Sequence, residues 1–137
     1  MSMEAQTPPV SKVAKWAGRV LSALPLLFLV ADAAAKLMQP PPAPVIEATT
    51  KLGFPEGTIL PMGITLLACV LLAAIPRTAV LGAILLTGYL GGAVASHVRM
   101  GEGAFPIVFP AIFGALIWGG LYLRDPRIRA LVPIRRP

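Results

Sequence analysis

The chain has 137 residues, of which 56% are hydrophobic and only 13% are charged, whereas soluble domains carry about 25% charged residues. The length allows a single domain, and the composition excludes an ordinary soluble globular protein. The net charge of +6 does not indicate nucleic-acid binding, because Lys and Arg lie mainly at the two ends of the chain instead of on one folded face.

Four long apolar segments predict membrane-spanning helices. They cover about residues 17–38, 59–75, 78–98 and 105–123, and each is near the ~17–25 residues that cross the hydrocarbon core as a helix. The sequence therefore predicts an all-α integral membrane protein, in which residues 1–137 form one antiparallel four-helix bundle.

The first apolar segment also has the pattern of a cleavable signal peptide. Basic residues precede a short apolar run, and the small residues Ala31 and Ala33 flank Asp32, as they would at a cleavage site. Cleavage there would leave three spans and would place the basic C-terminal tail on the wrong side of the membrane. We therefore expect the first helix to be retained.

The connections differ in length. Residues 39–58 form a long proline-rich loop, because proline can begin a helix but does not continue one. Within this loop we predict a short interfacial helix over residues 44–52 that ends at Gly53. Only Pro76 and Arg77 separate the second and third spans, which must be antiparallel neighbours. Residues 124–137 form a basic tail.

The distribution of Lys and Arg predicts the orientation. Basic residues flank the first span at its start, occupy the Pro76–Arg77 turn and fill the C-terminal tail, whereas the two opposite loops are nearly neutral. Because cytoplasmic loops carry the excess of Lys and Arg, we expect both termini in the cytoplasm.

Asp32 and Lys36 are the ionisable residues of the far half of the first span. An Asp that faced lipid at this depth would cost about 2.5–3.5 kcal/mol, so we expect it to face the interior, with Lys36 on the same helix face at i+4. One interpretation is an ion pair that only fixes helix packing. The other is a functional site, which is the default hypothesis for an ionisable residue within a membrane.

The third span carries further polar residues toward the same end. His97 and Arg99 come at its outer end, while Gly88 and Gly92 predict close contact with another helix. We therefore predict one outward-facing polar pocket. Its predicted catalytic residues are Asp32, Lys36 and His97, and its predicted substrate-binding residues are Tyr89, Ser96, Arg99 and Glu47.

No metal-ligand spacing, phosphate loop or cofactor motif is evident. Cys69 is the only cysteine, so a disulfide within the chain is excluded. We expect no metal and no cofactor held by the chain itself.

The segments "GRVLSALPLLFLVADAAAKL", "EATTKLGFPEG", "IPRTAVLGAILLTGYLGGAVASHVR" and "WGGLYLRDPRIRALVP" resemble the DoxX-like family of small bacterial membrane proteins. The resemblance covers about residues 16–133. It implies a multi-pass four-helix bundle in the bacterial cytoplasmic membrane. The family is named after a subunit of an archaeal thiosulfate:quinone oxidoreductase, and the resemblance implies a polar site at Asp32, Lys36, His97 and Arg99 without implying a reaction.

Three functions remain open at this point. The first is a subunit that binds a quinone or another lipophilic small molecule, with the redox centre on a partner protein. The second is an acid–base enzyme, an isomerase or ring-opening enzyme, in which Asp32 is the base. The third is a stress-related structural scaffold without a ligand. The expected partners are the bilayer, a lipophilic small molecule, and a redox protein or further copies of the chain, but no nucleic acid.

Overall fold

The computed structural model describes residues 9–135, and Arg136 and Pro137 of the predicted basic tail lie outside them. Within that range the chain forms six α-helices, with a single 3-10 turn at Glu56–Thr58 that leads into the third. The helices are α1 (Lys12–Leu37), α2 (Ala43–Lys51), α3 (Ile59–Ala74), α4 (Ala79–Arg99), α5 (Ala104–Arg124) and α6 (Pro126–Leu131).

Four of these helices are long and apolar enough to cross a membrane. They are α1, α4, α5 and the segment Glu56–Ala74 that contains α3. This confirms the predicted all-α, four-span architecture. Helix α1 begins before its apolar segment because Ser11 caps it, with its side-chain oxygen accepting a hydrogen bond from the amide of Ala14 at 3.1 Å.

The four long helices pack as a ring. Helix α1 packs against α3 and α5, and α4 packs against the same two helices, so α1 and α4 are diagonal to each other. The start of α1, the end of α5 with α6, and the Pro76–Arg77 turn lie together at what we call the terminal end. The opposite end, which carries α2 and the turn between α4 and α5, is called the loop end.

The closest helix contacts use glycines that differ from the predicted ones. A Cβ on Gly18 of α1 would lie 2.6 Å from the carbonyl oxygen of Gly120 of α5, and a Cβ on Gly82 of α4 would overlap the backbone of Ala73. Gly88 and Gly92 are instead exposed, and a Cβ on either would meet nothing within 4 Å. The expected helix contact through Gly88 and Gly92 is therefore wrong within this chain, because α4 is rotated so that its Gly82 face meets α3.

Two short helices lie outside the four spans. Helix α2 forms within the long proline-rich connection, with Pro44 in its first turn, where the missing amide hydrogen of proline has no consequence. Helix α6 forms in the basic tail because Asp125 caps it and Pro126 occupies its first position. The side chain of Asp125 accepts a hydrogen bond from the amide of Arg127 at 2.9 Å.

Candidate functional site

Asp32 and Lys36 form an ion pair one helical turn apart on α1. The Nζ of Lys36 lies 2.5 Å from Oδ2 of Asp32, and the side chain of Lys36 is 12% exposed while that of Asp32 is 34% exposed. Lys36 also lies in the last turn of α1, where a positive charge interacts favourably with the helix dipole. Each charge of the pair therefore has a stabilising partner inside the membrane-spanning helix.

The stem of Lys36 is held between α1 and α3. A Cβ placed on Gly63 of α3 would lie 2.8 Å from the Cβ of Lys36 and 3.4 Å from the carbonyl oxygen of Ala33. Only glycine at this position lets the two helices come so close. The first atoms of the Lys36 side chain therefore pack against the backbone of α3.

Tyr89 approaches the same region from the diagonal helix α4. It packs against the buried core and lies within electrostatic range of both Asp32 and Cys69, the buried free thiol. The carboxylate of Asp32 therefore has an ammonium group on its own helix and a phenol from across the bundle in its surroundings. Together these groups can donate and accept hydrogen bonds and protons in an otherwise apolar interior.

His97 lies at the loop end and is paired with Glu102. Its Nδ1 contacts Oε2 of Glu102, and Nζ of Lys51 lies 3.5 Å from the other carboxylate oxygen. An ionised carboxylate only accepts hydrogen bonds, so Nδ1 of His97 is the donor. The hydrogen bond from His97 is the main cause that lowers the pKa of Glu102 below its ordinary value, and the charge of Lys51 adds to it.

Within residues 9–135, no hydrogen bond or ion pair joins His97 to Asp32 or Lys36. The structure thus divides the three predicted catalytic residues between two separate pairs, Asp32–Lys36 within α1 and His97–Glu102 at the loop end. A common role for all three remains a prediction.

The turn after α4 explains why Glu102 meets His97. Gly101 has a φ of +67°, a left-handed conformation that favours glycine. The amide of Glu102 donates to the carbonyl of His97 at 3.2 Å, and the amide of Gly101 donates to that of Val98 at 3.0 Å, which is the Schellman motif. Sequence reasoning missed Glu102 as a partner of His97, although a glycine directly after a helix followed by an acid was the available signal.

Arg99 connects the end of α4 to the end of α2. One of its guanidinium nitrogens donates to the carbonyl of Leu52 at 2.9 Å, and the guanidinium lies 5.9 Å from the centre of the Phe54 ring, within range for a cation–π interaction. Gly53 ends α2 with a φ of +85°, so this helix also closes with a left-handed glycine. Arg99 therefore has a structural role in holding the long connection, and its predicted role in ligand binding stays a prediction.

The two remaining predicted binding residues make only local contacts or none. The hydroxyl of Ser96 donates to the carbonyl of Gly92 in its own helix at 2.8 Å. Glu47 is exposed on α2, and its carboxylate has no ion pair within the described part of the chain. Neither residue is brought to Asp32 by a contact in this structure.

Residues 9–135 contain no group of three or more His, Cys, Asp or Glu side chains that could hold a metal ion. The candidate site within the spans is the Asp32–Lys36 pair, with Tyr89 nearby.

Fold and site together define a small multi-pass membrane protein with an ion pair inside its helix bundle. The model of the DoxX-like family matches residues 20–120. This region contains all four spans except the start of α1 and the end of α5. The chain belongs to the DoxX-like family. Among curated proteins and among solved structures, none is similar enough to this chain to count as a match.

Proposed function

We propose that this protein binds a lipophilic small molecule of the quinone class, with the head group of the ligand at the Asp32–Lys36 pair. The observation that carries the proposal is an ion pair inside an apolar span whose carboxylate is still 34% exposed. Ionisable residues within spans usually mark ligand or proton pathways. A partly open ion pair can accept a polar head group without first being broken.

The neighbouring groups suit a carbonyl-containing head group. The Lys36 ammonium has three donors, of which Asp32 takes one, and the phenol of Tyr89 is an additional donor. A quinone presents carbonyl oxygens that accept such hydrogen bonds and a ring that favours an apolar environment. In this proposal the protein is the ligand-binding part of a membrane oxidoreductase system, and a redox partner protein exchanges electrons with the quinone.

An acid–base enzyme is the second candidate, and one observation favours it. The acid of the pair is more exposed than the base, at 34% against 12%, so a substrate reaches the carboxylate more easily than the ammonium. In that case Asp32 abstracts a proton, and Lys36 or Tyr89 stabilises the negative charge that develops on the substrate. The reaction class would be isomerisation or ring opening of a lipophilic substrate.

Both candidates are tested by ligand binding and turnover with the purified protein. Lipids extracted from gently solubilised protein are analysed for quinones by mass spectrometry, and binding of a short-chain quinone is measured by calorimetry. Asp32→Asn and Lys36→Met should each weaken quinone binding. Glu56 is an exposed acid in the loop, and Glu56→Gln should leave quinone binding unchanged. Equal binding by all four proteins would reject the site, and turnover of a substrate by the chain alone would favour the enzyme.

We also propose a location in the bacterial cytoplasmic membrane with both termini inside. The support is the excess of Lys and Arg at the terminal end, because cytoplasmic segments of membrane proteins carry more basic residues than external ones. A membrane-impermeant thiol reagent should label Gly57→Cys from outside intact cells in a Cys69→Ala background, and should not label Arg77→Cys. Gly57 suits this test because an added Cβ meets nothing within 4 Å. The reverse labelling pattern would overturn the orientation.

A further inference from the structure

A cavity of about 900 Å³ opens at the terminal end of the bundle, at the opposite end of α1 from Asp32 and Lys36. Residues from α1, α3, α4, α5 and α6 contribute to its wall. Four basic side chains line it together with one carboxylate, and these are Lys15, Arg19, Arg124, Arg127 and Asp125. The cavity is therefore strongly cationic for a space at the edge of a membrane bundle.

The single carboxylate does not neutralise the cavity. Asp125 caps α6 by accepting a hydrogen bond from the amide of Arg127, and its Oδ1 lies 3.7 Å from Nε of Arg127. It also lies within electrostatic range of Arg124. In the described part of the chain, neither Arg124 nor Arg19 forms an ion pair with a carboxylate.

Arg19 and Arg124 are held near each other by the backbone. Gly18 of α1 packs on the end of α5, where a Cβ on Gly18 would lie 3.2 Å from the Cβ of Arg124. As a result, both side chains line the same cavity. Two like charges kept together by close helix packing are stabilised by an anion that binds both.

An apolar groove of about 320 Å³ continues from the same two arginines. Arg19, Ala73, Ala74 and Arg124 line both spaces, so the groove and the cavity adjoin. The groove follows α1 up to Val30. At ~1.5 Å per residue, the eleven steps from Arg19 to Val30 span about 16 Å, which is close to half of the ~30 Å hydrocarbon core.

We propose that this region binds an anionic phospholipid, with its phosphate between Arg19 and Arg124 and one acyl chain in the groove. Charge complementarity identifies the head group, and the length of the groove matches one leaflet. Basic pockets between membrane helices are known to take the head groups of anionic lipids. The site is separate from the Asp32–Lys36 pair and does not depend on the ligand proposed there.

The test uses native mass spectrometry of the full chain released from detergent with added lipid. Wild-type protein should retain phosphatidylglycerol in preference to phosphatidylcholine. Arg19→Gln/Arg124→Gln should bind phosphatidylglycerol roughly 30-fold more weakly, as expected for the loss of two arginines that face anionic lipid. Arg77→Gln is the matched control, because Arg77 is exposed at the same end and lines neither space, and it should bind like the wild type.

Two further measurements distinguish a bound phospholipid from a free anion held by the arginines alone. Ala23→Phe should fill the groove and weaken binding of the long-chain lipid without removing a charge, which keeps the test valid if the double variant does not fold. Inorganic phosphate at millimolar concentration should not displace the lipid. Any one of three results would overturn the proposal. These are equal retention of both lipids by the wild type, lipid binding that is unchanged in both the double variant and Ala23→Phe, and displacement of the lipid by inorganic phosphate alone.

Discussion

Lys36 of α1 packs directly on Gly63 of α3, with the Cβ of Lys36 2.8 Å from the point where a side chain on Gly63 would begin. A charged residue inside a membrane span is thus positioned by the absence of a side chain on its neighbour. The α1–α3 contact therefore fixes the point from which the Lys36 side chain extends toward Asp32.

Gly63→Ala should lower the free energy of unfolding by about 1–3 kcal/mol, because the added methyl group overlaps the Lys36 stem and the helices must separate. Gly88→Ala is the matched control on α4, where a Cβ meets nothing within 4 Å, and it should raise the stability by up to ~1 kcal/mol. Unfolding monitored by circular dichroism in detergent measures both. A Gly63→Ala protein as stable as the wild type would contradict the close α1–α3 contact.

Asp32→Asn should destabilise the fold by about 1–3 kcal/mol, less than for a fully buried pair, since it leaves the Lys36 charge without its carboxylate. The double variant Asp32→Leu/Lys36→Leu should recover much of this loss, because it leaves no unpaired charge in the membrane. Stability and quinone binding are measured on the same samples. Recovered stability with lost binding would support a functional pair, whereas recovered stability with intact binding would reduce the pair to a structural role.

The Glu102 contacts should make stability depend on pH in the acid range. Because its pKa is lowered from an ordinary value of 4.5, mainly by the hydrogen bond from His97, the folded state favours ionised Glu102. The stabilisation is then complete above the ordinary pKa and is lost as the pH falls through the lower pKa of the folded state. The melting temperature of the wild type should exceed that of Glu102→Gln above pH 4.5, and the difference should shrink below it. A difference that stays constant across this range would contradict the His97–Glu102 hydrogen bond as its source.

The contact between Trp118 and Thr87 links α5 to α4. The indole nitrogen donates to the hydroxyl of Thr87 at 2.8 Å, and that hydroxyl donates to the carbonyl of Ala83. Thr87→Val should lower stability by roughly 0.6–1.7 kcal/mol, the range for hydrogen bonds between membrane helices, and should shift the Trp118 fluorescence. Thr65→Val is the control, because the hydroxyl of Thr65 bonds only to Pro61 in its own helix and its loss should leave the fluorescence unchanged.

Sequence reasoning was most successful where the signal lies within one segment. The four spans follow from runs of apolar residues, and the family match supports them. The Asp32–Lys36 contact follows from i, i+4 spacing on a single helix. These features depend on local geometry, which the order of residues determines directly.

Features that depend on helix rotation could not be predicted in this way. Gly82 and Gly88 both lie on α4, and both have small residues near them at helical spacing, but only Gly82 meets another helix. The choice between the two faces is made by packing against α3 and α5. The approach of Arg19 to Arg124 likewise requires the α1–α5 contact, whereas in the sequence both residues indicate only orientation.

The contacts that hold α2 at the loop end bear on how a ligand reaches the interior of the bundle. Displacing α2 from the loop end would require breaking the Arg99–Leu52 hydrogen bond and the Lys51–Glu102 ion pair together. A lipophilic ligand bound at the partly exposed Asp32, as we propose, would come from the bilayer, where such molecules concentrate, and would leave α2 in place. Occupancy would then follow the mole fraction of the ligand in the membrane, so that dilution with added lipid, at constant aqueous volume, would empty the site.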